Sequence, residues 1–366
     1  MFSADPALRQ LADIPLAPLT TLGIGGSARS FVRAATREAV ASAHAWSADR
    51  DVPLFVLGGG SNLVVADEGF NGLVLHVGLS GIQVSPSGAD TLITAAAGEP
   101  WDTVVADAVG RGLAGIECLS GIPGTVGGSP IQNVGAYGQE VAHVIEAVNA
   151  FDRRDGCMTR LTAAECVFAY RMSRFKRVDA GRFVVCDVTF RLRPGSPTVS
   201  YPDVIDHLAS GGMTSPTVTD VRDAVLAIRK GKGMVIDATD PDTRSVGSFF
   251  MNPVVAPVVF DRIATAHAHG RVPSYVMQNG EVKIPAAWLI EQSGFARGQT
   301  EGRVGLSSKH PRAIINRGGA TARDVVAFAG RIKRGVLDRF GVSLWPEPVF
   351  VGFANDPDVE FLVRGG

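Results

Sequence analysis

The segment GIECLSGIPGTVGGSPIQNVGAYG, which runs from Gly115 to Gly138, decides how the rest of the chain is interpreted. It is rich in glycine, small hydroxyls and amides and carries almost no charge. Glycine adopts positive φ easily and lets the main chain approach a ligand closely. Main-chain N–H groups in such a loop can hold an uncharged or diphosphate-bearing ligand. A buried loop around Ile122 and Val126 is the alternative, but it explains the glycines less well.

Two shorter glycine segments come earlier, TTLGIGGSAR from Thr20 to Arg29 and LGGGSNLVV from Leu57 to Val65. Each can turn successive N–H groups toward one anion, and Ser61 and Asn62 add side-chain donors to the second segment. Neither matches the GxGxxG of a dinucleotide-binding unit or the GxxxxGK[ST] of a P-loop. Taken alone, each segment is equally compatible with a tight structural turn.

Composition excludes several classes of function. The chain has 366 residues, which predicts two or three domains, and its formal net charge is -1. No overall field therefore favours nucleic acid or an anionic membrane. The start lacks the pattern of a signal peptide, and no apolar run approaches the roughly 18 residues that a membrane span needs. We expect a cytoplasmic protein.

The four cysteines, Cys118, Cys157, Cys166 and Cys186, show no CxxC pairing and no neighbouring set of zinc ligands. They are expected to be reduced thiols of the protein core. No metal site is predicted.

The first 78 residues or so alternate short apolar strands with one helix, for which Thr36 is the expected N-cap. A strand follows from Thr91 and a helix from about Pro100 to Arg111. The segment FVVCDVTFRLR, from Phe183 to Arg193, alternates strictly, with one wholly apolar face. This alternation predicts a strand that is buried on that face only.

A polar stretch rich in Pro, Gly and Ser, from Pro194 to Pro216, interrupts this pattern. A helix follows at TDVRDAVLAIRKG, and a domain boundary is placed just after it. The strongest helix of the chain runs from a Thr321 N-cap to a Gly341 stop, with its apolar side formed by Val325, Phe328, Ala329, Ile332 and Val336. The order of elements predicts an α+β protein with three subdomains, not one doubly wound sheet.

Four residues in apolar or glycine-rich surroundings could carry chemistry: Tyr170 and Arg171 in FAYRMSRFK, Ser248 in SVGSFFMNP and Glu347 in LWPEPVFVG. Taken singly, Arg171 is more often a solvated cation, Ser248 a turn hydroxyl and Glu347 a loop carboxylate. Only the combination of the four residues indicates an active site.

Together with the glycine segments, this set resembles the UDP-N-acetylenolpyruvoylglucosamine reductase family. The resemblance spans nearly the whole chain, and its most specific pieces are IPGTVGGSPIQNVGAYG, the YR of FAYRMSRFK, GSFFMNP, AAWLIEQSG and PEPVFVG, in the family's order. It implies that NADPH, through non-covalently bound FAD, reduces UDP-N-acetylglucosamine enolpyruvate to UDP-N-acetylmuramate. That reaction belongs to peptidoglycan synthesis, and so to cell-wall formation, cell shape and cell division.

The resemblance also implies the architecture. Two FAD-binding subdomains form a cradle like that of vanillyl-alcohol-oxidase-like flavoenzymes, and a C-terminal α+β domain binds the UDP-sugar. The expected boundaries are residues 1–78 with the tail 352–366, then 79–232, and finally 233–351. We expect a monomer with small-molecule partners and no nucleic-acid or membrane partner.

Site residues follow from the same resemblance. Arg171 and Glu347 flank the reacting double bond, and Ser248 donates the proton. Residues expected to bind the substrate or NADPH are Tyr170, Tyr201, Lys232, Asn252, Lys283 and Gln292. The implied FAD contacts are Gly23, Gly25, Leu57, Gly58, Gly59, Gly60, Ser61, Asn62, Ser120, Gly121, Ile122, Pro123, Gly124, Thr125, Gly127, Gly128, Ser129, Gln132, Asn133, Gly135, Ala136 and Tyr137.

Tyr201 places the chain with the family type that has a tyrosine loop. Val349 departs from the pattern, because some members have an arginine two residues after the glutamate, so one phosphate or carboxylate contact is in doubt. No separate nicotinamide domain is evident, which favours a ping-pong reaction in which NADPH and the UDP-sugar alternate at one face of the flavin.

The chemistry gives each residue a reason. Hydride delivery to the enolpyruvyl group pushes negative charge onto the neighbouring carbon and its carboxylate. Arg171 can pair with that carboxylate, and a protonated Glu347 can donate to it as charge grows. Ser248 is an uncharged proton donor, so it avoids the desolvation cost of a buried acid.

Two other functions are compatible with the sequence. An oxidase of the same flavin fold would react rapidly with oxygen and often tether its flavin through histidine or cysteine, but His44, His76 and His143 lie in no such motif. A non-catalytic nucleotide-binding protein would have lost the reacting set, which is present here.

Overall fold

The computed structural model describes residues 9–267 and 270–364. The chain divides into two compact units, each built from three segments. The first contains the described residues of Met1–Ile14, Ala28–Gly60 and Asn71–Val235, and the second contains those of Pro15–Ser27, Ser61–Phe70 and Ile236–Gly366. None of the helices in the described part combines the length and the apolar character of a membrane span.

Helices and strands are mixed throughout, as an α+β protein requires. The strands are β1 Gln10–Pro15, β2 Ser27–Ala34, β3 Leu54–Leu57, β4 Leu63–Val65, β5 Phe70–Val77, β6 Ile82–Ser87, β7 Asp90–Ala96, β8 Leu113–Ala114, β9 Gly135–Ala136, β10 Gln139–Glu140, β11 Ile145–Asp152, β12 Cys157–Thr162, β13 Phe183–Pro194, β14 Val254–Val255, β15 Tyr275–Val276, β16 Val282–Lys283, β17 Thr300–Glu301, β18 Val304–Leu306, β19 Ile314–Asn316 and β20 Val349–Val351. The α-helices are α1 Arg37–Asp49, α2 Trp101–Gly110, α3 Gly128–Gln132, α4 Pro202–Ser210, α5 Val218–Gly231, α6 Pro257–Ala266, α7 Ala286–Gln292, α8 Ala322–Phe340 and α9 Pro357–Val363.

The first unit contains two larger sheets. One has the order β1-β2-β5-β3, with β3 and β5 parallel, and the other is the antiparallel series β12-β11-β13-β7-β6, with β8 added to β13. Trp101 of α2 is buried against Phe190 of β13, with ring centroids 5.6 Å apart, and its indole N–H donates to the carbonyl of Leu119 at 3.0 Å. The main core of this unit contains buried residues of both sheets, of α1 and of α2.

The prediction that β13 is buried on one face only is wrong. Asp187 and Thr189, on the face expected to be exposed, are each only 5% exposed. Asp187 pairs with Arg37 in the first turn of α1 and accepts from Asn149 Nδ2 at 2.6 Å, while the Thr189 hydroxyl lies 2.9 Å from that of Thr94. Polar partners therefore let this face be buried as well.

Several predicted helices are confirmed. The hydroxyl of Thr36 accepts from Ala39 N at the start of α1, and the expected helices at residues 100–111 and 219–231 correspond to α2 and α5. The stretch from 194 to 216 is not purely irregular, however, because it contains α4. Val204 and Leu208 of α4 pack against α5, which explains why a short helix with two apolar residues four positions apart forms there.

The second unit contains two three-stranded sheets, β14-β16-β15 and β17-β18-β19, and the parallel pair β4-β20. Its longest helix, α8, is confirmed at both ends: Thr321 and Asp324 form a capping box, and Gly341 adopts φ +64°. The predicted apolar side of α8 is buried against Phe249 and Leu289, among other residues.

Candidate active site

The loop after β3 and the long glycine segment meet within the first unit. A Cβ atom on Gly59 would lie 2.7 Å from Gly124 Cα, and one on Gly58 would lie 3.0 Å from Thr125 Oγ1. The first distance is too short for any side chain, so only glycine allows these two main chains to approach so closely. The result is a cradle formed by main chain, which we call the glycine cradle (Gly58–Gly60 with Gly124 and Thr125).

The glycine cradle offers donors that the protein itself leaves unused. Among the described residues, the N–H groups of Gly58, Gly59 and Gly60 donate to no protein acceptor. The Thr125 hydroxyl is screened from solvent and likewise has no partner in the described part of the chain. Buried hydroxyls are normally paired, so the Thr125 hydroxyl indicates a ligand at this place. The three unused N–H groups beside it fit a ligand with several oxygens, such as the diphosphate of FAD.

Both main-chain polar groups of Gly121, in the long glycine segment, are hydrogen-bonded to side chains. Its N–H donates to Asp102 Oδ1 at 2.6 Å, and its carbonyl accepts from Arg229 Nη2 at 3.4 Å. Asp102 is also gripped by both terminal nitrogens of Arg222, at 2.7 and 2.8 Å. Burial acts to raise the pKa of Asp102, but the hydrogen bonds from Arg222 and Gly121 outweigh it and lower the pKa.

Sequence reasoning missed Asp102, Arg222 and Arg229. Arg229 is almost fully buried, and burial lowers its pKa. The sequence did contain a sign that Arg229 is buried, because Arg229 shares a face of α5 with Val221 and Val225. A cation on an apolar helix face is unusual and indicates a partner inside the protein.

Several side chains of residues predicted to contact FAD make hydrogen bonds within the protein. The hydroxyls of Ser120 and Ser129 donate to nearby carbonyls at 2.6 and 2.7 Å, and Asn133 Nδ2 donates to Glu140 and to the carbonyl of Ala169. Gln132 accepts from Lys176 at 2.9 Å. What this segment offers a ligand is therefore mostly main chain.

The remaining predicted contacts with FAD lie at loops or element ends. Leu57 ends β3 and is buried, while Gly25 packs so tightly on Val65 that a Cβ atom would lie 2.5 Å away. Gly23, also in the second unit, lies beside Asn316, whose amide donates to the carbonyls of residues 22 and 23. In the first unit, Gly127 packs closely on Ala97, since a Cβ atom on this glycine would lie 2.8 Å from Ala97 Cβ. Gly128 begins α3, and Gly135 and Ala136 form β9. Ile122 and Pro123 are half-buried.

Arg171 sits at the tip of a tight turn in the first unit. Ala169 and Met172 exchange two main-chain hydrogen bonds of 2.9 Å, and Arg171 between them has φ +53°. Its Nη2 donates to the carbonyl of Gly135 at 2.6 Å, and its guanidinium lies 5.9 Å from the ring of Tyr170. A left-handed arginine is costly, and such strain is typical of functional positions.

Tyr201 and Lys232, predicted to bind substrate or NADPH, lie beside Tyr137, a predicted FAD contact. The rings of Tyr137 and Tyr201 meet edge to face at 5.3 Å, and Lys232 Nζ lies 5.6 Å from the ring of Tyr137. Lys232 also pairs with Asp203 at 2.6 Å. Burial raises the pKa of Tyr137, which therefore stays a neutral phenol near neutral pH.

In the second unit, Ser248 and Glu347 come from paired segments. Phe250 and Pro346 form an antiparallel bridge, Glu347 N donates to the carbonyl of Phe249 at 2.8 Å, and Met251 N donates to that of Trp345 at 2.9 Å. Ser248 therefore lies one residue away from the position that pairs with Glu347. The two residues, about a hundred positions apart in sequence, are neighbours in the fold, while Arg171 belongs to the first unit.

Asn62 contacts the same segment. Its side-chain Nδ2 donates to the carbonyl of Glu347 at 3.1 Å, and its own carbonyl accepts from Val349 N at 3.0 Å. Its neighbour Ser61 is half-buried.

Of the other predicted substrate residues, Asn252 and Lys283 are brought together. Asn252 Oδ1 accepts from Ala286 N at 3.0 Å and from Arg312 Nη1 at 2.9 Å, and Lys283 pairs with Val254 in the β14–β16 ladder. Gln292 is the last residue of α7, and lies about 9 Å along that helix from the end that Asn252 contacts.

Comparison with known proteins first gives the class. A family model described as an FAD binding domain matches residues 28–162, and one described as the C-terminal domain of UDP-N-acetylenolpyruvoylglucosamine reductase matches residues 240–351. The fold and the glycine cradle thus define an FAD-binding oxidoreductase. The predictions of an α+β fold, of an FAD-binding region and of a reductase C-terminal domain are confirmed.

The particular family follows from whole-chain relatives. A UDP-N-acetylenolpyruvoylglucosamine reductase of Thermobifida fusca is 47% identical over 93% of this chain and 97% of its own length, and that of Streptomyces coelicolor is 43% identical over 95% and 91%. The crystal structure of the Thermus caldophilus enzyme of this name has a TM-score of 0.61, is 26% identical, and covers 94% of this chain and 98% of its own. The chain belongs to the UDP-N-acetylenolpyruvoylglucosamine reductase family.

Proposed function

We propose that this protein catalyses the NADPH-dependent reduction of UDP-N-acetylglucosamine enolpyruvate to UDP-N-acetylmuramate in peptidoglycan precursor synthesis. The observation that carries the proposal is the pairing of the Ser248 and Glu347 segments, since it makes neighbours of two residues that the family's chemistry requires together. The unused donors of the glycine cradle support FAD as the cofactor. FAD held by the glycine cradle would supply the hydride chemistry between NADPH and the enolpyruvyl double bond.

The residues then have separate tasks. Arg171, whose guanidinium is fixed by the carbonyl of Gly135, pairs with the carboxylate of the enolpyruvyl group. Glu347, in its protonated form, donates a hydrogen bond to the same carboxylate as negative charge grows. Ser248 gives its hydroxyl proton to the substrate carbon that becomes the carbanion.

Holding the nucleotide is the proposed task of a second group of residues. Tyr201 and Lys232 lie around the ring of Tyr137, and Lys232 provides the point charge for a phosphate after giving up its pairing with Asp203. Asn252, Lys283, Gln292 and Tyr170 are proposed to complete the sites for substrate and NADPH.

The finer expectations of the sequence also stay proposals. These are the ping-pong order, the three domain boundaries, a monomer in the cytoplasm, and partners limited to small molecules. A formal net charge of -1 supports the last of them.

An anaerobic experiment tests the function. The purified yellow protein is reduced with one equivalent of NADPH, UDP-N-acetylglucosamine enolpyruvate is added, and flavin absorbance is followed. The expected result is return of the oxidised spectrum with formation of UDP-N-acetylmuramate. Reduced flavin that persists until oxygen rapidly reoxidises it would establish the oxidase alternative, and a colourless protein that binds no FAD would overturn the whole proposal.

A further inference from the structure

The backbone of Glu347 is constrained on every side. Pro346 and Pro348 flank it, and each proline fixes its own φ and restricts the residue before it to extended conformations. Its N–H donates to the carbonyl of Phe249, in the segment that carries Ser248. Its carbonyl accepts from the side-chain amide of Asn62 at 3.1 Å. The direction in which the carboxyl group points therefore depends on contacts on both sides of the residue.

Asn62 is itself anchored to this segment. Its carbonyl accepts from Val349 N at 3.0 Å, and immediately after it the parallel β4–β20 ladder begins at the pair Leu63 and Val349. The side chain of Asn62 thus binds Glu347 and its main chain binds Val349. Pro348 between them has no N–H to donate. We call this arrangement the Asn62 clamp (Asn62 with the carbonyl of Glu347 and the N–H of Val349).

We propose that Asn62 is a positioning residue for Glu347, in addition to its place in a glycine-rich loop. The inference rests on the role proposed for Glu347. Without the amide donor, the Glu347 carbonyl loses its partner and the peptide between Glu347 and Pro348 is held only by its main-chain contacts. The carboxyl group then shifts from the position where it meets the growing charge on the substrate. Misplacement by about 1 Å can lower a rate about a hundredfold.

The chemistry of the side chain makes the proposal specific. The carbonyl of Glu347 needs a donor, which the amide of asparagine provides. Aspartate has the same shape, but its ionised carboxylate only accepts hydrogen bonds and would repel that carbonyl. Asn62→Asp and Asn62→Ala should therefore have the same kind of effect, although they differ in size and charge.

The test separates the two half-reactions in the holoenzyme. Flavin reduction by NADPH and flavin reoxidation by UDP-N-acetylglucosamine enolpyruvate are timed in a stopped-flow instrument for Asn62→Ala, Asn62→Asp, Glu347→Gln and the double variant Asn62→Ala/Glu347→Gln. Asn71→Ala is the matched control, because Asn71 is also an asparagine in a hydrogen bond, on the exposed surface with Arg29. FAD content and thermal unfolding are measured for every variant.

We expect both Asn62 variants to slow reoxidation about ten- to a hundredfold while flavin reduction stays within about threefold of the wild type. In the Glu347→Gln background, Asn62→Ala should add less than about a threefold effect, since residues that act through one another are not additive. Asn71→Ala should leave both half-reactions unchanged.

Unchanged reoxidation in Asn62→Ala would overturn the proposal. Equal loss of both half-reactions would also overturn it, because that result would place Asn62 against the flavin instead. Full additivity with Glu347→Gln would do the same. The role of Glu347 itself is judged separately, because it fails if Glu347→Gln reoxidises at the wild-type rate. Should Asn62→Ala fold poorly, Asn62→Asp, which keeps the shape, gives the same comparison.

Discussion

At the scale of single residues, Thr125 shows how a buried hydroxyl without a partner can indicate a ligand site. Its hydroxyl is screened from solvent and has no partner among the described residues, although a lone buried hydroxyl costs about 1–3 kcal/mol. Natural proteins keep such a group when a ligand satisfies it. The sequence could only show that Thr125 lies in a glycine-rich loop.

Thr125→Val should therefore act in opposite directions on the free and the FAD-bound protein. The apoprotein should become more stable by about 1 kcal/mol, because an unsatisfied hydroxyl disappears. Affinity for FAD should fall about ten- to a hundredfold, because a hydrogen bond to a charged phosphate is lost. Thermal unfolding of the apoprotein and titration with FAD measure the two effects, with Thr125→Ser as the control that keeps the hydroxyl. Unchanged FAD affinity would contradict this assignment.

Ser248→Ala should separate the two half-reactions. Flavin reduction by NADPH should stay nearly intact, whereas reoxidation by the substrate should fall by about a hundredfold or more, because the general acid is missing. Single-turnover absorbance traces report both rates. Equal loss in both would show that Ser248 acts in some way other than as the proton donor.

The residues that the sequence could not reveal share a physical cause. Ser248 and Glu347 lie in recognisable motifs, whereas Asp102 and Arg229 matter because of their hydrogen bonds to the main chain of Gly121. Burial and partners depend on segments that are distant in sequence. Periodicity shows that Arg229 lies on the apolar side of α5, but it does not show that the carbonyl of Gly121 is its hydrogen-bond partner there.

At the scale of elements, the sequence predicted correctly those features that depend on contacts between residues close in sequence. The caps of α1 and α8 were correctly placed, because capping is a contact between residues three or four positions apart. The second face of β13 was predicted wrongly, because Arg37 and Asn149, which bury Asp187, come from elsewhere in the chain. The helix α4 was missed because its two buried apolar residues, Val204 and Leu208, lie in a proline-rich stretch.

The capping box of α8 can be tested directly. Thr321→Ala removes the acceptor for Asp324 N at 3.1 Å and should lower the free energy of unfolding by about 1 kcal/mol. Chemical denaturation with urea measures this change, and Thr321→Ser, which keeps a capping hydroxyl, should restore most of it. A loss below about 0.3 kcal/mol in Thr321→Ala would mean that packing of α8 alone fixes its start.

The end of β11 should make the stability of the fold depend on pH in the acid range. Hydrogen bonds from Arg182 to the buried Asp152 hold the pKa of that carboxyl well below its usual range. A depressed pKa in the folded state means that the stabilisation is present above the unfolded pKa of about 4 and is lost as pH falls below it. Asp152→Asn should flatten the acid limb of the stability curve, measured by thermal unfolding between about pH 3 and 7. As a control, Asp49→Asn changes an exposed aspartate, and its stability between about pH 3 and 7 should follow that of the wild type.

At the scale of the whole molecule, the expectation of reduced core thiols can be examined. The expectation is confirmed for Cys118, Cys166 and Cys186, which are free and buried, and it is wrong for Cys157, which is free but exposed. Burial raises the pKa of Cys118 and Cys166 to about 12 and that of Cys186 to about 11. These three thiols are therefore almost entirely protonated at pH 8 and react poorly.

A thiol reagent at pH 8 should accordingly modify one cysteine quickly in the native protein and all four after denaturation. Colour release from a disulfide reagent counts them, and Cys157→Ser should abolish the fast phase. Fast reaction of a second thiol would show that one of the buried sites opens readily.

The Asn62 clamp also has a consequence for how the protein is made. Its partners lie 285 positions apart, so a ribosome adding about 5 to 20 residues per second needs roughly 15 to 60 seconds between them. During that time the loop that contains Asn62 has already emerged, while the glutamate it must hold does not yet exist. An interrupted translation product therefore cannot assemble this part of the second unit, whatever else it folds. Glu347 therefore acquires its fixed position only after residues 347–349 have been synthesised.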